Sequence, residues 1–151
     1  MVSLRKGQSV YAQGGAPKAL FVIQQGKVKI SVKSQTGKDS TLDMFDSGDF
    51  AGIDYLAGAA SRVASSAAMT DCRLLRIDKK NMMLALARQG KLSNMFWAYL
   101  LESNIRYQQD LVEHHCDHSK KRLAHLLLRM ATLTAMKPQF PVLITQSCRK
   151  W

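Results

Sequence analysis

The residues able to do chemistry fall into a few groups, and their spacing excludes most of that chemistry. His114-His115-Cys116-Asp117-His118 gathers three of the four histidines with one of the three cysteines. His114 and His118 are one helical turn apart and Cys116 is a soft donor, so a transition-metal site comes first to mind. On a helix, however, positions i, i+2 and i+4 do not share one face, and a fourth donor is missing; no metal is expected. Cys72, Cys116 and Cys148 are scattered without CxxC spacing. That pattern excludes a disulfide scaffold and a ribbon-type zinc site, and it suits a reducing cytoplasm. There is no nucleophile motif, no phosphate-cradling glycine loop and no carboxylate pair at acid–base spacing, so the expectation is not an enzyme. The run Lys120-Lys121-Arg122 offers contacts to phosphates, which add affinity without sequence information. The same run also suits the solvated start of a helix.

Charge points the same way. The chain has 151 residues, with 22 basic against 11 acidic side chains, a net charge of +11. Such a surplus favours a polyanionic partner and speaks to association, not to fold. From His115 onward seven Lys and Arg face one acid, Asp117, so the end of the chain is where a polyanion would be met. No stretch is long and apolar enough for a membrane span, and Met1 to Gly7 lacks the apolar run of a signal peptide; no membrane partner is expected.

The elements that must position these groups change character near residue 78. Before it, short runs of alternating polarity are separated by glycine-containing turns, the pattern of an all-β roll. Lys27 to Lys33 is the clearest: Val28, Ile30 and Val32 fall on one face of a strand. Leu20 to Ile23 precedes it across Gln25-Gly26, and Thr41 to Phe45 follows, which predicts two hairpins in series. Arg62 to Met69 and Arg73 to Ile77 read as further strands around a turn at Thr70-Asp71. After Ile77 the period is helical. Asp78 is an N-cap for a helix over Lys79 to Arg88, and Gly90 a stop. A long helix is predicted from Lys91 to Cys116, a break at Asp117-His118-Ser119, and another helix from Lys120 to Met136, ended by Pro138. All four histidines, His125 included, lie in this helical half, so a metal centre held by strand histidines cannot be built.

The long helix has two stripes. Leu92, Met95, Phe96 and Tyr99 form one; Trp97, Leu101, Asn104, Gln108 and Leu111, at heptad spacing, form the other. A helix apolar on two sides needs two partners, and a second copy of itself would be the second. Trp97, Leu101, Asn104, Gln108 and Leu111 are therefore the expected homodimer interface.

Phe21 to Ile30, Ser47-Gly48-Asp49-Phe50-Ala51-Gly52, Arg62, and Thr70 to Ile77 resemble, in order, the β-roll of the Crp/Fnr family of bacterial transcription regulators. Lys120 to Leu127 resembles the helix leading into that family's DNA-binding domain. The resemblance implies an α+β fold: an N-terminal antiparallel β-roll of the cyclic-nucleotide-binding kind (a double-stranded β-helix or jelly roll), a long dimerisation helix, and one further helix. The implied organisation is a roll with a short helix over 1–90, a dimerisation helix over 91–117, and the start of a winged helix-turn-helix over 118–151. It also implies an effector pocket. Gly-Glu after Gly-Asp-Phe would hold ribose hydroxyls, and an Arg followed by Ser or Thr would hold a cyclic phosphate. Here these positions are Gly52-Ile53, with Asp54 next, and Arg62-Val63, while the family's Thr-Ser pair on the long helix falls near Tyr107-Gln108. Ile53 cannot accept hydrogen bonds from a ribose, and hydroxyls buried without partners cost a few kcal/mol. The candidate ligand residues are thus Gly52, Ile53, Asp54, Arg62, Val63, Tyr107 and Gln108, for a small-molecule effector with cyclic nucleotide disfavoured and no cofactor expected.

Family members continue beyond Ile144-Thr145-Gln146 into a helix-turn-helix, where this sequence reads Ser147-Cys148-Arg149-Lys150-Trp151. An interruption of the reading frame after Gln146 is one expectation. The overall expectation is a cytoplasmic DNA-binding regulator with an incomplete reading head. The alternative is a stand-alone interaction module that pairs with itself or with a full-length relative and binds no DNA specifically.

Overall fold

A computed structural model of the chain describes residues 1–34 and 36–116. The predicted break at Asp117-His118-Ser119, the helix from Lys120 to Met136 and the basic run Lys120-Lys121-Arg122 lie outside the described residues. The elements in chain order are β1 (Val2–Leu4), β2 (Ser9–Tyr11), β3 (Leu20–Gln25), β4 (Val28–Lys33), β5 (Asp39–Phe45), β6 (Phe50–Ala51), α1 (Asp54–Ala57), β7 (Ser65–Ala68), β8 (Cys72–Ile77), α2 (Lys79–Arg88) and α3 (Gly90–Cys116). The strands form two four-stranded antiparallel sheets, ordered β1-β8-β3-β6 and β2-β7-β4-β5. The α+β roll followed by helices is the fold that the sequence leads one to expect.

One strand connection differs from expectation. β4 and β5 are a hairpin, but β3 and β4 do not pair: β3 bonds to β6 and β8, β4 to β5 and β7. The turn at Gln25-Gly26 carries the chain from one sheet to the other, and Thr70-Asp71 does the same between β7 and β8. These two crossings pack against each other. The Lys27 amide donates to Thr70 Oγ1 at 2.9 Å, and the Met69 amide donates to the Lys27 carbonyl at 2.8 Å. Gly26 has φ +91°, and a Cβ there would collide with the Asp71 carbonyl and come within 2.7 Å of Cys72 Sγ. A two-residue gap reads equally as a hairpin or a corner, because only the partners across the sheet distinguish them.

The unbroken apolar run of β3 follows from its place between two cores. Leu20 and Val22 stand opposite Ile77 and Leu75 of β8, and with Phe50, Met82, Leu92, Phe96 and Tyr99 they bury the helical side. Ile23 points to the other face, joining Val28, Ile30, Phe45, Ala68 and Leu74 between the sheets. Successive side chains of a strand alternate, so a strand covered on both sides must be apolar throughout. In β4 the alternation of Val28 and Ile30 holds, and then the pairing with β5 slips between Ile30 and Ser31. Leu42 is the extra residue, and it is exposed.

Helix α2 begins as expected: Asp78 is extended at the N-cap position, although its side chain makes no capping bond. Gly90 does not stop it. Helix α2 ends at Arg88 with Gln89 at the C-cap, and Gly90 is the first residue of α3. The two helices are separated by a single extended residue, Gln89, which turns the chain so that Leu92, Phe96 and Tyr99 meet the roll.

Candidate effector pocket

The pocket is built where β6 gives way to α1. Gly52 takes φ +84°, and a Cβ on it would collide with Arg62 Nη1, so only glycine permits the guanidinium to lie against this backbone. The chain then closes one turn of helix, Asp54–Ala57, ended by the left-handed Gly58.

Arg62 is 3% exposed. Its Nη1 donates to the Gly52 carbonyl at 3.1 Å and forms an ion pair with Asp54 Oδ1, and its Nη2 donates to the Ala19 carbonyl at 2.6 Å. The guanidinium carbon lies 4.2 Å from the centre of the Tyr11 ring, a cation–π contact. Its Nε is buried without a hydrogen-bond partner among the described residues. Asp54 is the first acid of the α1 turn, and its Oδ1 also accepts the Tyr55 amide at 2.9 Å. A buried arginine with two carbonyls and a carboxylate around it is a neutralised, internally committed group.

Beside this pair lies a cavity of about 310 Å³ between the roll and α3. Phe45, Phe50 and Ile30 supply apolar wall from the strands, and Tyr99 and Leu100 supply it from the helix. Polar atoms enter from Asp54, Ser103, Asn104 and Tyr107. Of the residues singled out from sequence, Gly52, Ile53, Asp54, Val63 and Tyr107 line this cavity. Arg62 does not: it lines a separate cavity of about 400 Å³ on the far side of Tyr11, with Lys18 and Arg76. Gln108 does not line it either; its Nε2 donates to Asn104 Oδ1 along the helix at 2.7 Å. Asn104, expected at a dimer interface, stands in the cavity wall as well.

The sequence reading missed Tyr11, Ser103 and the Asp43–Arg106 pair. Asp43 of β5 faces Arg106 of α3 at 3.5 Å, next to Tyr107, and ties the β4–β5 hairpin to the long helix. Burial opposes the charge of Arg106, but Asp43 and then Tyr107 outweigh it and hold its pKa above the usual arginine value. Burial raises the Tyr107 phenol too, and Asp43 adds to the shift. Tyr99 is raised further, first by burial and then by Asp49, and its hydroxyl accepts the Phe50 amide at 3.2 Å. Tyr11 is pushed up to about 12, mainly by burial, with the neighbouring Arg62 pulling it down. These phenols are therefore neutral hydrogen-bonding groups at physiological pH. An acid at the bulged end of a strand and an arginine one helical turn before Asp110 carry no motif that could have revealed their pairing.

The first stripe of α3 is buried: Leu92, Phe96 and Tyr99 are in the core and Met95 packs against it. The second is not. Trp97 and Leu101 are 62% and 63% exposed, Leu111 is exposed as well, and Ile105 and Val112 widen the apolar face beyond the expected set. Among the described residues no His, Cys, Asp and Glu come together in a group that could hold a metal, and no helix is long and apolar enough to cross a membrane. The side chains of His114, His115 and Cys116, and all of His118, lie outside what is described.

Residues 1–89 match the cyclic nucleotide-binding domain family. The chain is 28% identical over 128 residues to a protein of Thermus thermophilus named cyclic AMP receptor protein, covering 83% of this chain and 58% of that one. It is 24% identical over 130 residues to a Mycobacterium tuberculosis protein named CRP-like cAMP-activated global transcriptional regulator, covering 86% and 58%. The chain thus spans a little over half the length of these curated relatives. Among solved structures, a transcriptional regulator of Thermotoga maritima superposes with a TM-score of 0.66 at 19% identity, covering 74% of this chain and 87% of that one, a likeness of fold. With its roll, its short helix after β6 and its long following helix, the chain belongs to the cyclic nucleotide-binding domain family.

Proposed function

We propose that this chain is the effector-sensing and pairing part of a Crp/Fnr-type DNA-binding transcription regulator of the cytoplasm, and that it works as a homodimer through the exposed stripe of α3. What supports this reading is that one helix carries both a wall of the cavity and an exposed apolar stripe. Tyr99, Leu100, Ser103 and Tyr107 of α3 wall the cavity, while Trp97, Leu101 and Leu111 of the same helix stand in solvent. Asn104 belongs to both sets, and Gln108 is bonded to it. The helix is 27 residues, about 40 Å, long, enough for a paired rod of several heptads.

The mechanism follows from that sharing. A ligand in the cavity touches α3 and the roll together, so it favours whichever relative placement of the two it fits better. That differential affinity sets how far it can shift the equilibrium between two states of the dimer. The shift would pass along the paired helices to the segment at Cys116 to Ser119 and reposition whatever follows. Lys120, Lys121 and Arg122, the basic run that follows this segment in sequence, would supply affinity for phosphates without sequence preference.

Sedimentation velocity tests the pairing. The native chain is expected to run as a dimer, and Trp97→Asp or Leu101→Asp as folded monomers. A native chain that stays monomeric at tens of micromolar, or aspartate variants that stay dimeric, would refute the interface. DNA binding is read by gel shift across salt concentrations. Attraction that disappears by roughly 0.2 M salt is phosphate contact alone, whereas a preferred sequence that survives it requires base readout.

A further inference from the structure

The anion seat that Arg62 would offer a ligand is already taken by a side chain of the protein. In the family, by the resemblance above, this arginine holds the phosphate of a cyclic nucleotide. Here its Nη1 is paired with Asp54, its charge is neutralised, and its remaining hydrogen bonds go to the Gly52 and Ala19 carbonyls. The side chain is buried and does not reach the wall of the 310 Å³ cavity. An incoming phosphate would meet the Asp54 carboxylate in that wall, a like charge, with the compensating guanidinium engaged behind it. Ile53 and Val63, also in the wall, offer neither a carboxylate for a ribose nor a hydroxyl for a phosphate.

What the cavity does offer is aromatic and aliphatic surface from Phe45, Phe50, Ile53, Tyr99 and Leu100, with Ser103, Asn104 and the Tyr107 phenol as hydrogen-bonding groups. Mostly apolar walls with a few convergent polar groups recognise a small planar or aliphatic molecule with one or two polar atoms. We propose that Asp54 is a tethered replacement for the effector's anion, and that the pocket has exchanged the family's charged ligand for an uncharged, mainly apolar one. The proposal rests on the regulator reading for its purpose, but the cavity lies within one chain. Its test can therefore be run on the Leu101→Asp variant, and failure to dimerise leaves it intact.

The test uses the full chain and two probes: cyclic AMP, followed by calorimetry, and neutral 1-aminoanthracene, followed by fluorescence. The native chain is expected to bind aminoanthracene saturably and to give no heat with cyclic AMP up to roughly 1 mM. Ala64 also lines the cavity, so Ala64→Phe and, independently, Ser103→Leu fill it and should weaken the dye at least tenfold, with the thermal melt confirming that each variant is folded. Asp54→Asn combined with Ile53→Glu and Val63→Ser removes the negative charge from the seat, keeps an acceptor beside Arg62, and should gain measurable cyclic AMP binding. Micromolar binding of cyclic AMP by the native chain, lost in Arg62→Ala, overturns the proposal. So does dye binding that ignores both cavity-filling variants yet vanishes in Trp97→Asp, because the dye would then sit on α3. A triple variant that binds cyclic AMP no better than the native chain also counts against Asp54 as the occupant of the seat.

Discussion

A buried arginine beside an aspartate serves stability or function according to what it has left to give. Arg62 has its charge matched by Asp54 and its Nη donors shared with two carbonyls, so its first effect is on folding. Arg62→Ala leaves a mostly buried carboxylate without its counter-charge and takes a donor from the Gly52 and Ala19 carbonyls, and is expected to cost about 3–5 kcal/mol in urea denaturation. Replacing both partners together, Arg62→Met with Asp54→Leu, should recover most of that loss, because no uncompensated charge remains buried. The phenols give a second residue-scale expectation. Tyr11 titrates near 12 in the folded chain and near 10 when unfolded, so the unfolded state loses its proton first. Stability should be level up to about pH 10 and fall between 10 and 12, with Tyr99 acting in the same direction. Tyr11→Phe should flatten part of that fall in denaturation midpoints measured against pH.

At the scale of elements, the roll depends on two corners and the helix on a division of labour between its faces. Gly26→Ala must hold a positive φ and push its Cβ into the neighbouring crossing at Asp71 and Cys72. The left-handed backbone alone costs on the order of 1–3 kcal/mol, so a lowered denaturation midpoint of at least that size is expected. Gly37 has the same sign of φ and open space around it, and its alanine variant should cost only the backbone part. On α3, Phe96 and Trp97 are adjacent in sequence and opposite in fate. Phe96 is buried against the Phe50 ring, 5.2 Å away and edge-on, and Phe96→Ala should cost about 3–5 kcal/mol. Trp97→Asp should leave the stability of the single chain within about 1 kcal/mol while abolishing self-association. A Trp97→Asp chain that unfolds would show that this side chain belongs to the monomer core.

For the whole molecule, self-association and stability are linked. If the exposed stripe of α3 is where two copies meet, the melting temperature rises with protein concentration, since the dimer is favoured by mass action over unfolded chains. Differential scanning calorimetry over a hundredfold concentration range should show that rise for the native chain and none for Leu101→Asp. A net charge of +11 opposes pairing at low ionic strength, so moderate salt should tighten the dimer even as it weakens any attraction to DNA. The opposite responses separate apolar pairing from phosphate contact in one preparation.

Local pattern was enough for the strand-rich first half, the change to helical period after Ile77 and the two stripes of α3. Each of these is a statement about neighbours within a few residues, where periodicity and glycine placement act directly. Gly52, the short helix after it and Arg62 were set apart by the family resemblance, not by local pattern. What local pattern could not supply was which strand bonds which, so β3 to β4 read as a hairpin when it is a corner between sheets. Nor could it show that Asp54, eight residues before Arg62, would turn back to neutralise it. Gly90 was legible as a glycine but not as the start of α3, because Gln89 and the packing of Leu92 decide where α2 ends. Contacts between residues distant in sequence are selected by the packing of the whole chain, and the electrostatic state of the pocket is made of such contacts. Part of the pocket was therefore readable in advance, while Tyr11, Ser103, the Asp43–Arg106 pair and the partners of every group were decided only in three dimensions.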